Sequence, residues 1–290
     1  MALVLISLAL IAFAANSVLC RMALGAETID PGSFTAARLI SGALMLWLIV
    51  AYRDHQKTAP PNPSPSQSCW FSQGATALFI YAVCFSYAYV ELNTATGALV
   101  LFAMVQITLV TLGFIAGQRL NGLEILGLLI AIGGFTYLML PSATRPEPIA
   151  TVLMAAAGVA WGVYTWLGRS TTNPLRSTAR NFRLSTPYAL ITLVAAISLD
   201  QFHLSGPGIT LAILSGALAS AVGYAIWYSV LPTLSAAQAG ILQLLVPVIA
   251  ALGGVIFVDE SLTLHLVVAG LVILAGIGTL FWGRNRGTRS

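Results

Sequence analysis

Ten stretches of about 18 or more mostly apolar residues follow one another along the chain, near 2–24, 32–52, 71–90, 94–116, 121–140, 149–169, 182–199, 208–230, 235–257 and 263–282. An α-helix rises about 1.5 Å per residue, so such a stretch can cross a bilayer's hydrocarbon of roughly 30 Å. The strands of a membrane barrel would alternate apolar and polar positions, and these stretches do not alternate. The pattern predicts an all-α integral membrane protein with ten transmembrane helices.

The pattern also repeats. Ala236–Glu260, AAQAGILQLLVPVIAALGGVIFVDE, has a weaker copy in Thr94–Gln118, TATGALVLFAMVQITLVTLGFIAGQ, at an offset of 142. At an offset of 143, GLLIAIGG from Gly127 lies on GLVILAGI from Gly270. The first stretch falls on the sixth at an offset of 148, pairing Phe13 with Trp161, Asn16 with Tyr164 and Arg21 with Arg169. Self-similarity at half the chain length implies two five-helix repeats, 1–140 and 149–282. Five is odd, so the second repeat enters the membrane from the opposite side, the inverted plan of secondary transporters with a site near the midplane. The first stretch lacks the charged leader of a secretory signal and matches the sixth, so it is expected to be retained.

Composition and charge sharpen this reading. Of the residues, 58% are hydrophobic and 8% charged, against about 25% charged in soluble domains. The net charge of +4 does not indicate nucleic acid, because the basic residues follow topology. Arg53, Lys57, Arg119, Arg169, Arg176, Arg180, Arg183, Arg284, Arg286 and Arg289 follow helices 2, 4, 6 and 10, whereas Arg21 and Arg145 fall on the other face. By the positive-inside rule both termini are cytoplasmic. The proline-rich segment from Arg53 to Ser68 reads as a cytoplasmic linker. The stretch from Arg169 to Arg183 reads as a loop meeting anionic headgroups.

Enzymatic readings find little. The only lysine is Lys57, so no phosphate-binding loop exists. His55, His203 and His265 stand near helix ends or in loops, HExxH is absent, and the acids lie at or near helix ends. Cys20, Cys69 and Cys84 lack metal-ligand spacing. No cofactor is expected, and the partners implied are the lipid bilayer and a small-molecule substrate; the sequence leaves the oligomeric state open. Gly113 and Gly117 form a GxxxG that serves internal packing as readily as dimerisation.

The apolar stretches do contain amides and polar-tipped aromatics. Asn16, Gln106 and Gln243 are costly in hydrocarbon unless they face protein or water. Tyr81 and Phe85, Trp161 and Tyr164, and Tyr224 and Trp227 suit the wall of a pocket for an amphipathic solute. These nine residues are the candidate substrate-binding set. The competing reading of each glutamine is a bond to a neighbouring helix, and Trp47, Trp70 and Trp282 near helix ends fit an interfacial belt. Ala236, Gly240, Gln243 and Pro247 share one face of the ninth helix, which Pro247 is expected to bend. Arg38 is the basic residue well inside a helix. A structural ion pair with Glu27 or Asp30 is the first expectation for it, and binding a substrate carboxylate is the second.

FAANSVLCR and WGVYTWLGR in helices 1 and 6, and AGILQLLVPVIAALGGVIFVDESL running into a glycine-rich tenth helix, resemble the EamA branch of the drug/metabolite transporter superfamily over essentially the full chain. The resemblance implies an inner-membrane secondary carrier, typically an exporter of amino acids or related metabolites, with a cavity lined by helices 1, 3, 4, 6, 8 and 9. Val105 stands opposite Pro247 and Gln118 opposite Glu260, and helix 1 contains no acid. That departs from the related small multidrug carriers, whose helix 1 holds a proton-binding glutamate. The alternatives are a sugar-phosphate or nucleotide-sugar exchanger, which wants several inward Lys or Arg residues, and an intramembrane enzyme.

Overall fold

The computed structural model describes residues 2–55, 72–117, 121–138, 146–168, 171, 173–230, 242–243 and 245–287. Among the described residues the regular structure is helical, apart from one isolated bridge between Ile29 and Leu204. The helices are α1 Ala2–Leu24, α2 Pro31–His55, α3 Gln73–Glu91, α4 Thr94–Ile115, α5 Gly122–Leu138, α6 Pro148–Gly168, α7 Pro174–Ser198, α8 Gly206–Val230, α9 Leu245–Val258 and α10 Leu264–Gly287. Five of them, α1, α2, α4, α6 and α8, are long and apolar enough to cross a membrane on their own. Leucines, isoleucines and valines stand exposed along the outside of the bundle, among them Ile115, Ile149 and Leu271. Such a surface suits lipid rather than water.

Local chemistry explains the helix starts. Asn121 and Glu124 form a reciprocal capping box at α5, each side chain accepting the other's backbone N–H at 2.9 and 2.8 Å. At α2 the Asp30 carboxylate accepts from Ser33 N at 2.8 Å, ahead of Pro31 at the first helical position. Asn173 caps α7 by accepting from Arg176 N at 3.2 Å, again with proline in the first turn. This cap corrects the expectation of a loop across 169–183: Arg176, Arg180 and Arg183 lie on the first turns of α7. Polarity masked the helix there, because arginines on an opening turn look like a loop to a hydropathy reading.

Other expectations shift in detail. Within α8, Leu214–Val222 is wound as a π-helix, which no period in LSGALASAV announces. Gly113 is buried in α4, but Gly117 lies past its end at φ +88°, a left-handed position that favours glycine. The GxxxG is therefore not a continuous helical face. Pro247 stands at the third position of the described α9; Ala236 and Gly240 lie outside the described residues, and with them the bend expected around that face. Cys69, Trp70, most of the proline-rich linker, Gln118 and Arg169 also lie outside them. Trp47 and Trp282 are exposed, as a belt requires.

The packing obeys a near two-fold exchange of helix n with helix n+5. Helix α3 packs on α6 and α1 on α8; α4 packs on α6 and α1 on α9; α2 packs on α8 and α3 on α7. The pairs α2 with α7, α4 with α9 and α5 with α10 map onto themselves. In the α5–α10 pair the backbones touch. A Cβ at Gly127 would lie 2.5 Å from the Gly276 carbonyl oxygen, and one at Gly276 would lie 2.7 Å from the Gly127 carbonyl oxygen. Small residues permit this approach inside a membrane, where helix association depends on close contact rather than on expelling water.

Candidate functional site

The helices α1, α2, α3, α6 and α8 converge on a layer of aromatic rings. Trp161 of α6 is its hub, stacking on Tyr164 at 5.2 Å and 25° and meeting Tyr81 at 4.9 Å and Tyr224 at 5.0 Å. Tyr81 and Tyr224 are 143 residues apart, the offset that relates the two glycine-rich helices, so near-equivalent tyrosines flank one tryptophan. Phe13 of α1 lies edge-on to Tyr224 at 5.8 Å and to Trp227 at 5.7 Å. Edge-to-face and offset contacts are the favoured geometries of ring pairs, and each is worth about 0.5–1.5 kcal/mol beyond burial.

A polar chain runs beside the rings. Ser215 Oγ donates to Asn16 Oδ1 at 2.6 Å, Asn16 Nδ2 donates to the Tyr81 hydroxyl at 3.2 Å, and Arg38 Nη2 donates to the same hydroxyl at 2.9 Å. All four side chains are buried. The π-helical stretch of α8 supplies Ser215 and also Gly216, which packs directly on the Arg38 backbone carbonyl and on Ser41. An extra-wide turn at a functional position is a recurring use of π-helix.

Seven of the nine candidate residues are thus linked: Asn16, Tyr81, Phe85, Trp161, Tyr164, Tyr224 and Trp227, with Phe85 meeting Tyr81 at 5.3 Å. Gln106 is buried in α4 and Gln243 is half-buried. Among the described residues, no hydrogen bond or ring contact joins either glutamine to the cluster. The sequence reading left out Phe13 and Ser215. Phe13 had a signal, its pairing with Trp161 at the 148-residue offset; Ser215 had none, being one small residue in a run of them.

Arg38 departs from its first expectation. Among the described residues no carboxylate lies within ion-pairing distance of it, and the ion pairs found are Arg21 with Glu260 and Arg176 with Asp54. Asp30 sits about 12 Å away along the helix axis and is engaged by the backbone N–H groups of Ser33 and His203 at 2.8 and 3.2 Å. The guanidinium carbon instead lies over the rings of Phe85 at 4.8 Å and Tyr81 at 5.1 Å, within cation–π range.

The two ends of the bundle differ. At the end where α2 finishes and α3 begins, a cavity of about 420 Å³ opens, lined among others by Ser72, Gly74, Tyr164, Thr178, Asn181 and Tyr228. Tyr164 belongs both to this vestibule and to the ring layer, so the vestibule reaches the cluster. At the other end the chain is latched. Both oxygens of Glu260 accept the backbone N–H of Thr94, at 2.9 and 2.8 Å, and Arg21 Nε stands 3.4 Å from the same carboxylate. Arg21 Nη1 also donates to the carbonyls of Tyr89 and Val90 at 3.1 and 2.6 Å. Glu260 thereby stands at the start of α4, where a helix's positive end favours an anion, and Arg21 at the end of α3, where a cation is favoured. This latch ties the second half to the first.

The bundle thus has lipid-suited flanks and a polar and aromatic centre that a vestibule reaches from one end. Comparison with known proteins gives the family. The model of the EamA-like transporter family matches residues 1–140 and 148–282, and the chain belongs to that family. It is 47% identical over 278 residues to an uncharacterized protein of Pseudomonas aeruginosa, covering 96% of this chain and 93% of that one. It is 25% identical over 213 residues to an uncharacterized transporter of Archaeoglobus fulgidus, covering 71% of this chain and 75% of that one. A protein of known crystal structure, 20% identical, superposes with a TM-score of 0.60 over 94% of this chain and 96% of the other, a likeness of fold.

Proposed function

We propose that this transporter is a secondary-active carrier that exports small amphipathic metabolites such as amino acids, by alternating access around the ring-lined centre. It sits in the cell inner membrane with ten crossings in two inverted repeats and both termini cytoplasmic, so the vestibule faces the cytoplasm. The observation that carries this reading is the pairing of a vestibule at one end with the Arg21–Glu260–Thr94 latch at the other, on either side of a cluster built from both halves. In this reading the vestibule end is the open one and the latched end the closed one. Asn16 and the tyrosine hydroxyls offer hydrogen bonds to a polar head, and Trp161, Phe85 and Trp227 offer apolar area. Gln106 and Gln243 complete the proposed lining from α4 and the chain just ahead of α9. Export requires the latch to break and the vestibule to close, and neither step needs nucleotide hydrolysis.

The test is exchange in proteoliposomes. Vesicles holding the full chain and loaded with an amino-acid mixture should take up labelled amino acid by saturable counterflow, without ATP. Absence of saturable exchange for every amino acid tried would overturn the reading.

A further inference from the structure

The geometry points to Arg38 as the anchor for a carboxylate, so that the cargo is an organic acid anion, including the carboxylate end of an amino acid. This assignment rests on the carrier reading above. Arg38 is 2% exposed and lies two helical turns inside α2. Its guanidinium stays protonated in any protein setting, so a full positive charge is buried there. One nitrogen, Nη2, donates to Tyr81, but Nη1 is buried and without a hydrogen-bond partner. A buried donor left unmatched beside a full charge is expensive, and proteins retain such a group where something else completes it.

None of the nine carboxylates, all of them among the described residues, pairs with Arg38, and several are engaged elsewhere. Glu260 holds Thr94 and Arg21, Asp54 holds Arg176, Asp30 holds the Ser33 and His203 backbone, and Glu124 caps α5. The missing partner is therefore an incoming anion. Arg38 borders the far side of the ring layer that floors the vestibule, since Tyr164, Trp161 and Tyr81 touch one another in sequence between the cavity and the guanidinium. Displacement of Tyr81 or Trp161 would bring a solute from the vestibule to Nη1.

A carboxylate fits better than a phosphate. Arg38 is the cation that touches Tyr81 and Phe85, with Arg180 lining the vestibule outside the ring layer, and one guanidinium matches one negative charge and leaves a phosphate dianion half neutralised. The neighbouring polar groups are the Asn16 amide and the Ser215 and Tyr81 hydroxyls. Ring faces around the guanidinium suit an apolar or aromatic body attached to the acid, and they can also receive an ammonium group through cation–π contact.

The experiment uses the full chain in detergent and follows its melting midpoint with three probe skeletons, hydrocinnamate, indoleacetate and isocaproate, each beside its amide and its amine analogue, plus phenylethylphosphonate. Wild type should respond to the acids at concentrations on the order of tenfold or more below those needed for the amides, as expected for a hydrogen bond to a charged group, and least to the amines. R38Q should lose the difference between acid and amide. R38K should keep it in weakened form, which preserves the test if R38Q fails to fold. The assignment falls if no acid shifts the wild type, if amide, amine or phosphonate matches the acids, or if R38Q folds and keeps the preference for acids. Binding with these properties but without flux in vesicles would count against the carrier reading and leave the role of Arg38 standing.

Discussion

Replacing Trp161 by alanine removes the hub of the ring layer. Three ring pairs are lost, to Tyr164, Tyr81 and Tyr224, at centroid separations of 5.2, 4.9 and 5.0 Å. At about 0.5–1.5 kcal/mol per pair these amount to roughly 1.5–4.5 kcal/mol. A tryptophan fully enclosed in a core costs about 3–5 kcal/mol on truncation. Trp161 is only half-buried, so the expected loss lies lower, about 2–3 kcal/mol. W161F keeps a flat ring and should recover part of it. The assay is melting midpoint and apparent affinity for a transported solute, measured on the same preparations. W161A should melt earlier and change which solutes are carried, because the floor of the vestibule is opened toward Tyr81 and Arg38. Lower stability with unchanged affinity and selectivity would make Trp161 a structural ring, and no change in either property would refute the ring-layer argument itself.

Three further outcomes are expected. G127A should destabilise the protein by about 1–3 kcal/mol through overpacking, because the added carbon meets the α10 backbone rather than a movable side chain; a midpoint equal to that of wild type would show that α5 and α10 part easily. Gln243→Leu should weaken cargo affinity by about 0.5–1.5 kcal/mol with little change in midpoint if the amide faces cargo, whereas a lower midpoint with unchanged affinity would assign it to helix packing. Reporter fusions after His55 and at Ser290 should both behave as cytoplasmic, and a periplasmic signal from only one of them would break the ten-crossing count.

The helices and the repeat were legible because a membrane makes apolar run length nearly sufficient: every backbone group in hydrocarbon must be bonded within its own segment, so a long apolar run has few choices besides a helix. The same logic failed at α7, where Arg176, Arg180 and Arg183 make a helical start look like a loop. That Trp161 packs inside the bundle rather than in a belt was legible from its depth, since a belt tryptophan does not sit a dozen residues into a span. What surrounds Arg38 was not. Its partners, Tyr81 and Phe85, lie on another helix, and nothing local to Arg38 indicates that a hydroxyl and two ring faces replace the carboxylate of Asp30. The Arg21–Glu260 pair was missed for the same reason, because it joins residues from the two halves that no periodicity relates. Sequence registers what each helix is, and the contacts between helices that make a site depend on rotation and depth.

Alternating access is tested most directly by whether loosening one end closes the other. E260Q keeps an oxygen for the Thr94 N–H but removes the charge that faces Arg21, exchanging hydrogen bonds to a charged group for neutral ones, a loss of about 1–1.5 kcal/mol and so roughly a tenfold shift in a two-state equilibrium. Spin-label pairs at the exposed Glu91 and Ser261 report on the latch, and a pair at Gln73 and Thr171 reports on the vestibule. In lipid vesicles E260Q should lengthen the first distance and shorten the second. A latch that loosens while the vestibule distance stays as in wild type would contradict alternating access.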